Sequence, residues 1–248
     1  MRKPKLRDSK KSRQTNVHSL GEFQKEFIYE ISKWIVYHFA IGKADITGED
    51  WGDIFAKGAG WTHLSSPLGL ADVVMDEGAW SVKSVKNNNP HECKAIRVIS
   101  GRNSPDYSYG ITDPHANPAK TGKAVLNIWN ERVNIAIDEY VNLRSAILVR
   151  NVNNLDFTLF ETEINRFVTN EYEWSVNKNG NLEGVEKTSG KHKFTWQPHG
   201  SQFTIIYSVP SSAIRFQIKR PPVLDFNKTM EQIGFDESWV MIKGICNV

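Results

Sequence analysis

Gly69-Leu70-Ala71-Asp72-Val73-Val74-Met75 and Ala79-Trp80-Ser81-Val82-Lys83-Ser84-Val85 decide how this chain folds. Both stretches are rich in β-branched and aromatic residues, and Asp76-Glu77-Gly78 between them is turn chemistry, so the pair predicts a β-hairpin. With residues 76–79 as the loop, Met75 pairs with Trp80 and Asp72 falls opposite Lys83. Side chains alternate along a strand, so Val73, Met75, Trp80 and Val82 form one apolar face. Asp72, Ser81 and Lys83 collect on the other, with Val74 among them. Directly opposed residues have Cβ atoms roughly 4.5–5.5 Å apart, close enough for a carboxylate and an ammonium to serve one small site.

The whole chain is 248 residues long, 40% hydrophobic and 24% charged, which suits a folded protein with a substantial core. Two cysteines, Cys93 and Cys246, argue against a disulfide framework. No apolar run reaches the length of a membrane span and the N-terminus lacks a signal-peptide core, so a cytoplasmic protein without a membrane partner is expected. Net charge is +3 but uneven. Residues 1–13 hold seven Lys or Arg and one Asp, +6, leaving −3 for the rest. A basic arm of this kind is a phosphate-binding device or a solubilising tail.

An acid on one strand and a Ser-Val-Lys on the next resembles the PD-(D/E)xK nuclease superfamily, which includes most type II restriction endonucleases. The resemblance spans the hairpin alone. It implies that Asp72 binds Mg²⁺ and that Lys83 orients or deprotonates the attacking water. Ser81 stands where the family carries a second acid, a departure that removes a charge. In such nucleases an early helix often places a glutamate beside the metal, so Glu26 is expected to share the ion and the catalytic set becomes Asp72, Ser81, Lys83 and Glu26. Glu22 and Glu30 on the same helix, and Glu92 further on, are the other glutamates that could replace the missing charge. The resemblance further implies double-stranded DNA as substrate and a homodimer.

Residues 19–39 are expected to form the first helix, capped by Ser19, with Phe23, Phe27, Ile31, Trp34, Ile35 and His38 at helical spacing. A short helical piece around residues 51–55 sits in a glycine-rich approach to the hairpin. Glu92-Cys93-Lys94 is a second acid-x-lysine pair, ranked lower because Asn87–Pro90 makes its start a loop. His91, Glu92 and Cys93 lack a partner pair at zinc spacing. Residues 94–99 read as a strand and 100–110 as a long polar loop. Arg102, Asn103 and Ser104 there are candidate DNA contacts, since Arg and Asn make bidentate contacts to base edges.

A second helix is expected over residues 122–144, followed by strands at 146–149 and 157–160. Helices and apolar strands in this order suit a mixed sheet flanked by helices, an α/β (α+β) fold. From 170 to 220, Asn-Gly and Pro/Gly punctuation between alternating runs indicates successive antiparallel strands. The turn Gln197-Pro198-His199-Gly200-Ser201-Gln202 offers Gln197, His199 and Gln202 as a second DNA-contact element. A weak helix and a strand at 239–242 end the chain. The expected organisation is a basic arm (1–17), a nuclease core (18–165) and a β-rich C-terminal region (166–248). P-loop, dinucleotide and serine-hydrolase signatures are missing from the sequence. The activity that the resemblance implies is Mg²⁺-dependent, site-specific DNA cleavage. A non-catalytic nucleic-acid-binding module and a repair or recombination nuclease of the same superfamily are the alternatives.

Overall fold

The computed structural model describes residues 17–64, 70–75 and 78–243. The basic stretch 1–13, Gly69 and the expected turn residues Asp76 and Glu77 lie outside them.

Helices α1 (Lys25–Ala40) and α2 (Gly48–Ala59) come first, then strands β1 (Thr62–His63), β2 (Val73–Met75) and β3 (Gly78–Lys86). Strand β4 (Ala95–Arg102), helix α3 (Pro105–Tyr109) and helix α4 (Pro118–Glu139) lead to β5 (Asn142–Asn151) and β6 (Asp156–Glu163). Strands β7 (Tyr172–Val176), β8 (Leu182–Glu186), β9 (His192–Gln197), β10 (Gln202–Ser208) and β11 (Ile214–Gln217) follow, then helix α5 (Phe226–Gln232). The fold is α+β with two sheets. The first is mixed, in the order β1-β2-β3-β5-β6-β11, and the second is antiparallel, in the order β4-β10-β9-β8-β7. Among the described residues no helix is long and apolar enough to cross a membrane.

Among the described residues the only parallel pair of strands is β3 with β5, in register from Gly78↔Asn142 to Lys86↔Arg150. A parallel neighbour needs a crossover, and α4 supplies its helix. Asn117 caps that helix by accepting from the Lys120 N–H, and Pro118 occupies its first position, so it starts earlier than expected and ends at Glu139. Strand β5 is buried on both sides: Ala146 and Leu148 pack towards α1 and α2, Ile147 and Val149 towards α4 and the second sheet. Its near-continuous apolar run is the pattern of a strand covered on both faces.

Helix α1 keeps its expected apolar stripe but not its expected start. Ile31, Ile35 and His38 are buried, with Phe23, Phe27 and Trp34 packed beside them, yet the helix begins at Lys25. Ser19 does not cap it. The preceding segment is instead drawn onto the sheet by the buried Glu161 carboxylate. His18 Nε2 lies 3.1 Å from Oε2, the Gly21 N–H donates to Oε2 at 2.9 Å, and Trp80 Nε1–H donates to Oε1 at 2.6 Å. Arg144 pairs with the same carboxylate at 3.2 Å and donates to the His18 carbonyl at 2.8 Å.

The division expected near residue 165 is crossed twice. Strand β4, from the first half, belongs to the second sheet, and β11, from the last part, closes the edge of the first. Residues 100–102, expected in a loop, extend β4, and Ser104 caps the short α3. Residues 239–242 form no strand, since Val240 and its neighbours find no strand partner among the described residues.

Two outcomes follow from this packing. Glycine to alanine inside a helix ordinarily stabilises, but a Cβ on Gly122 would meet the Trp174 ring at 2.0 Å. Gly122→Ala should therefore overpack the contact and cost about 1–3 kcal/mol, read as a lower urea midpoint. Burial alone would raise the Glu161 pKa, but the hydrogen bonds from His18, Gly21 and Trp80 outweigh it and bring the net value below the ordinary 4.5. A carboxylate held low contributes stability above its unfolded value and loses it as pH falls through the folded one. Below about pH 4.5 the native protein should lose stability more steeply than Glu161→Gln, measured by denaturation across the acid range.

Candidate functional site

The hairpin forms with its two faces sorted as expected but with a different register. Val73 pairs with Trp80, Val74 with Ala79 and Met75 with Gly78, which shortens the loop to residues 76 and 77. Two-residue connections match the strand twist best, and the change of two positions preserves which face each side chain takes. Asp72 therefore stands level with Ser81 rather than Lys83. The lysine reaches the carboxylate by the length of its side chain.

Asp72 Oδ2 accepts three hydrogen bonds: from Lys83 Nζ at 2.7 Å, from the Val82 N–H at 2.9 Å and from Ser81 Oγ at 3.2 Å. The side chains of Asp72 and Lys83 are 15% and 26% exposed, so the ion pair is shielded yet open to solvent on one side. It lies on the wall of a cleft of about 460 Å³ that runs between the first sheet and β4 of the second. Glu49, His63, Lys86 and Arg97 also line this cleft.

Each of these side chains has a local reason for its place. Glu49 sits in the first turn of α2, whose start is set by a capping box between Thr47 and Asp50. His63, on β1, is oriented by Asp53 Oδ1 at 2.7 Å. Lys86 is tied to Asp45 at 2.8 Å, and Arg150 pairs with the same carboxylate at 2.9 Å. Burial works to raise the Asp45 pKa, but those two cations hold it well below the usual carboxylate range. Arg97 alternates with the buried Ile96 and Val98 along β4; it lines the cleft beside Val98 and hydrogen-bonds Thr195 Oγ1.

Sequence reasoning brought Asp72, Ser81 and Lys83 together, and the structure does so too. Glu26 is elsewhere: it is exposed on α1 and lines grooves with Tyr29 and Phe27, whereas Glu49 is the glutamate on the cleft. Glu22 and Glu30 are likewise exposed on or beside α1, and Glu92 lies in a single 3-10 turn away from the cleft lining. The signal for Glu49 was the Thr-Gly-Glu-Asp helix start just before the hairpin. For Arg97 it was the period-two alternation around it.

Asn103 is a correction. It is fully buried, donating from Nδ2 to the Val125 carbonyl at 2.9 Å and accepting at Oδ1 from Arg132 at 3.2 Å. Its own carbonyl accepts from Trp196 Nε1 at 2.8 Å. No face of it is left for a base edge. Ser104 is spent on capping, with Oγ accepting from the Tyr107 N–H. Arg102, by contrast, is exposed and stands level with Gln202, which is level with Gln197 on the next strand. With His199 exposed in the turn, these four gather at one end of the second sheet.

Asn103 also steadies Arg132, whose Nη2 donates to the Ser100 carbonyl at 3.1 Å. Gly101 makes room for this guanidinium: its φ is +135°, and a Cβ there would meet Nη1 at 2.8 Å. Burial lowers the Arg132 pKa and the negative charge of Asp72 opposes that shift, so the arginine adds to the positive surroundings of the carboxylate.

Among the described residues no three His, Cys, Asp or Glu side chains gather as a metal cage. Two carboxylates, Asp72 and Glu49, face the cleft. Mg²⁺ is commonly held by one or two carboxylates with water and substrate phosphates completing its shell, and this donor set fits that mode.

Asn103→Ala should destabilise the fold by about 1–3 kcal/mol, by leaving buried polar partners unpaired, while any DNA affinity survives. Arg102→Ala should leave the denaturation midpoint unchanged, while any DNA affinity falls and its salt dependence flattens by about one unit of slope.

Comparison with known proteins adds no relative: no protein-family model matches the chain, no curated protein matches its sequence, and no solved structure matches its fold.

Proposed function

We propose that this chain is a Mg²⁺-dependent, sequence-specific endonuclease of double-stranded DNA, similar to type II restriction enzymes of the PD-(D/E)xK superfamily. One observation carries the reading: the Asp72 carboxylate and the Lys83 ammonium meet at 2.7 Å on the wall of a cleft that also holds Glu49 and Arg97. A carboxylate, a lysine and an arginine in a groove of this size suit a phosphodiester better than a neutral substrate. The hairpin and its parallel neighbour β5 lie in a mixed sheet with helices packed on it, which agrees with the core that the resemblance implies.

In this reading Asp72 and Glu49 would hold the ion, with Glu49 taking the part expected of Glu26. When bound, Mg²⁺ supplies Lewis-acid stabilisation of the charge that builds on the phosphoryl oxygens. Lys83 Nζ orients the attacking water. Ser81 Oγ–H helps fix the carboxylate, and Arg97 pairs with a non-bridging phosphate oxygen. The tip formed by Arg102, Gln197, His199 and Gln202 lies along β4 from Arg97, roughly 16 Å away at 3.3 Å per residue, and reads base edges or clamps a neighbouring phosphate. The protein acts in the cytoplasm as a homodimer, whose two-fold symmetry matches a palindromic site.

One observation favours a second reading, a nucleic-acid-binding module without catalysis. Ser81 brings no charge, and Asp72 Oδ2 is already engaged by three donors, as in a structural ion pair.

Incubation of the protein with phage DNA and Mg²⁺ separates the two. Discrete fragments are expected from the native chain and none from Asp72→Ala, with DNA binding retained in the variant. Lys83→Ala should also lose cleavage while metal affinity falls less. Mg²⁺-dependent cleavage by Asp72→Ala would overturn the assignment. Tight, salt-sensitive binding with no cleavage in Mg²⁺ or Mn²⁺ would establish the second reading.

A further inference from the structure

After Ile218 the chain stops contributing to either core. Of residues 219–243 only Pro221, Thr229 and Met230 are even half-buried. The segment is nevertheless built. Asp225 caps α5, Asp236 caps a 3-10 turn, and the Phe235 and Trp239 rings pack edge to face 5.8 Å apart. The backbone is tied to the body at its root, where the Leu224 N–H donates to the Ala40 carbonyl at 2.7 Å. Beyond Asp225, the hydrogen bonds among the described residues close within the segment itself.

This ordered arm is apolar. Nine large apolar side chains between Val223 and Ile242 are 46–78% exposed, Phe226, Trp239, Met241 and Ile242 most prominently. Phe226, Met230 and Ile233 fall on one stripe of α5 at helical spacing. At roughly 150–250 Å² for a large side chain, the nine offer on the order of 800–1,000 Å². That is the share one partner contributes to a standard interface, about 800 Å², and far exceeds an incidental patch. The chain also carries a receptor of matching character. A groove of about 750 Å³ runs along α1, with Tyr29, Val36, Tyr37 and Ala40 as its apolar lining beside the charged Glu26, Glu30 and Lys33, and Leu224 at the arm's root forms part of its wall.

We propose that the arm of residues 219–243 docks in the α1 groove of a second copy of this chain, and that its own groove receives the second copy's arm in return. The pairing is self-complementary, as a two-fold interface requires, because donor arm and acceptor groove sit on one surface and meet at Leu224. Helix-in-groove packing of an amphipathic stripe is the mode of contact. Each arm contributes about half of the buried surface, so neither copy covers its apolar residues alone. The inference deepens the homodimer of the proposed function by naming its interface, and it stands on the arm and the groove, not on the chemistry of the cleft.

The test is the solution mass of the full chain by light scattering at micromolar concentration, without DNA. The native chain and Asp72→Ala should both show twice the chain mass. An arm variant, Phe226→Asp with Trp239→Ser, and a groove variant, Val36→Asp with Tyr37→Ser, should each halve it while circular dichroism stays native. Phe226, Trp239 and Tyr37 are exposed and Val36 is half-buried at the edge of the core, so folding should survive, and a variant that unfolds is replaced by Tyr29→Asp for the groove or Met241→Asp for the arm. A monomeric native chain overturns the proposal, as does a dimer that survives either the arm or the groove substitutions.

Discussion

Parallel pairing of β3 with β5 is the constraint on which the rest of the molecule depends. A parallel neighbour cannot be reached by a tight turn, so the chain must leave the sheet after Lys86 and return at Asn142. On the way it lays down β4 and α4. Helix α4 covers one face of the first sheet, as a crossover element should, and β4 becomes the founding edge of the second sheet. The cleft exists because those two outcomes are linked. Lys83 stands on the strand before the crossover and Arg97 on the first strand within it, so both cations line the one cleft.

The buried cluster on Glu161 serves the same strand from the opposite side. A carboxylate withdrawn from water is costly unless its lone pairs are met, and here Trp80, Arg144, His18 and the Gly21 N–H meet them. Trp80 is one residue from Ser81 and three from Lys83. The cluster thus fixes the strand that carries the candidate site and, through His18, ties down the segment before α1. Removing any one partner leaves a buried charge without its complement.

Much of this was legible in the sequence where a local rule and the tertiary structure agree. Alternation in the hairpin gave its two faces, and β5 and the strands after 170 announced themselves by apolar runs and turn residues. The errors have a common physical origin in long-range contacts. The start of α1 was displaced because Glu161, far along the chain, competes for the backbone at Gly21. Asn103 reads as a surface residue in a Gly/Ser/Pro-rich stretch, and becomes core because Arg132, Val125 and Trp196 converge on it. Glu26 fits a spacing pattern but occupies the wrong helix, since the start of α2, not α1, approaches the cleft. Composition alone cannot report which of two neighbouring helices faces a distant strand.

The exchange of strands between the two sheets bears on how the molecule comes apart. Strand β4 depends on β10, and β11 depends on β6, so each sheet borrows an edge from the other half of the chain. One apolar core joins Ile147 and Phe160 of the first sheet to Phe194 and Phe203 of the second through Trp129 of α4. Such an arrangement has no seam along which one half can melt while the other persists. The two sheets are therefore expected to open together as one cooperative unit.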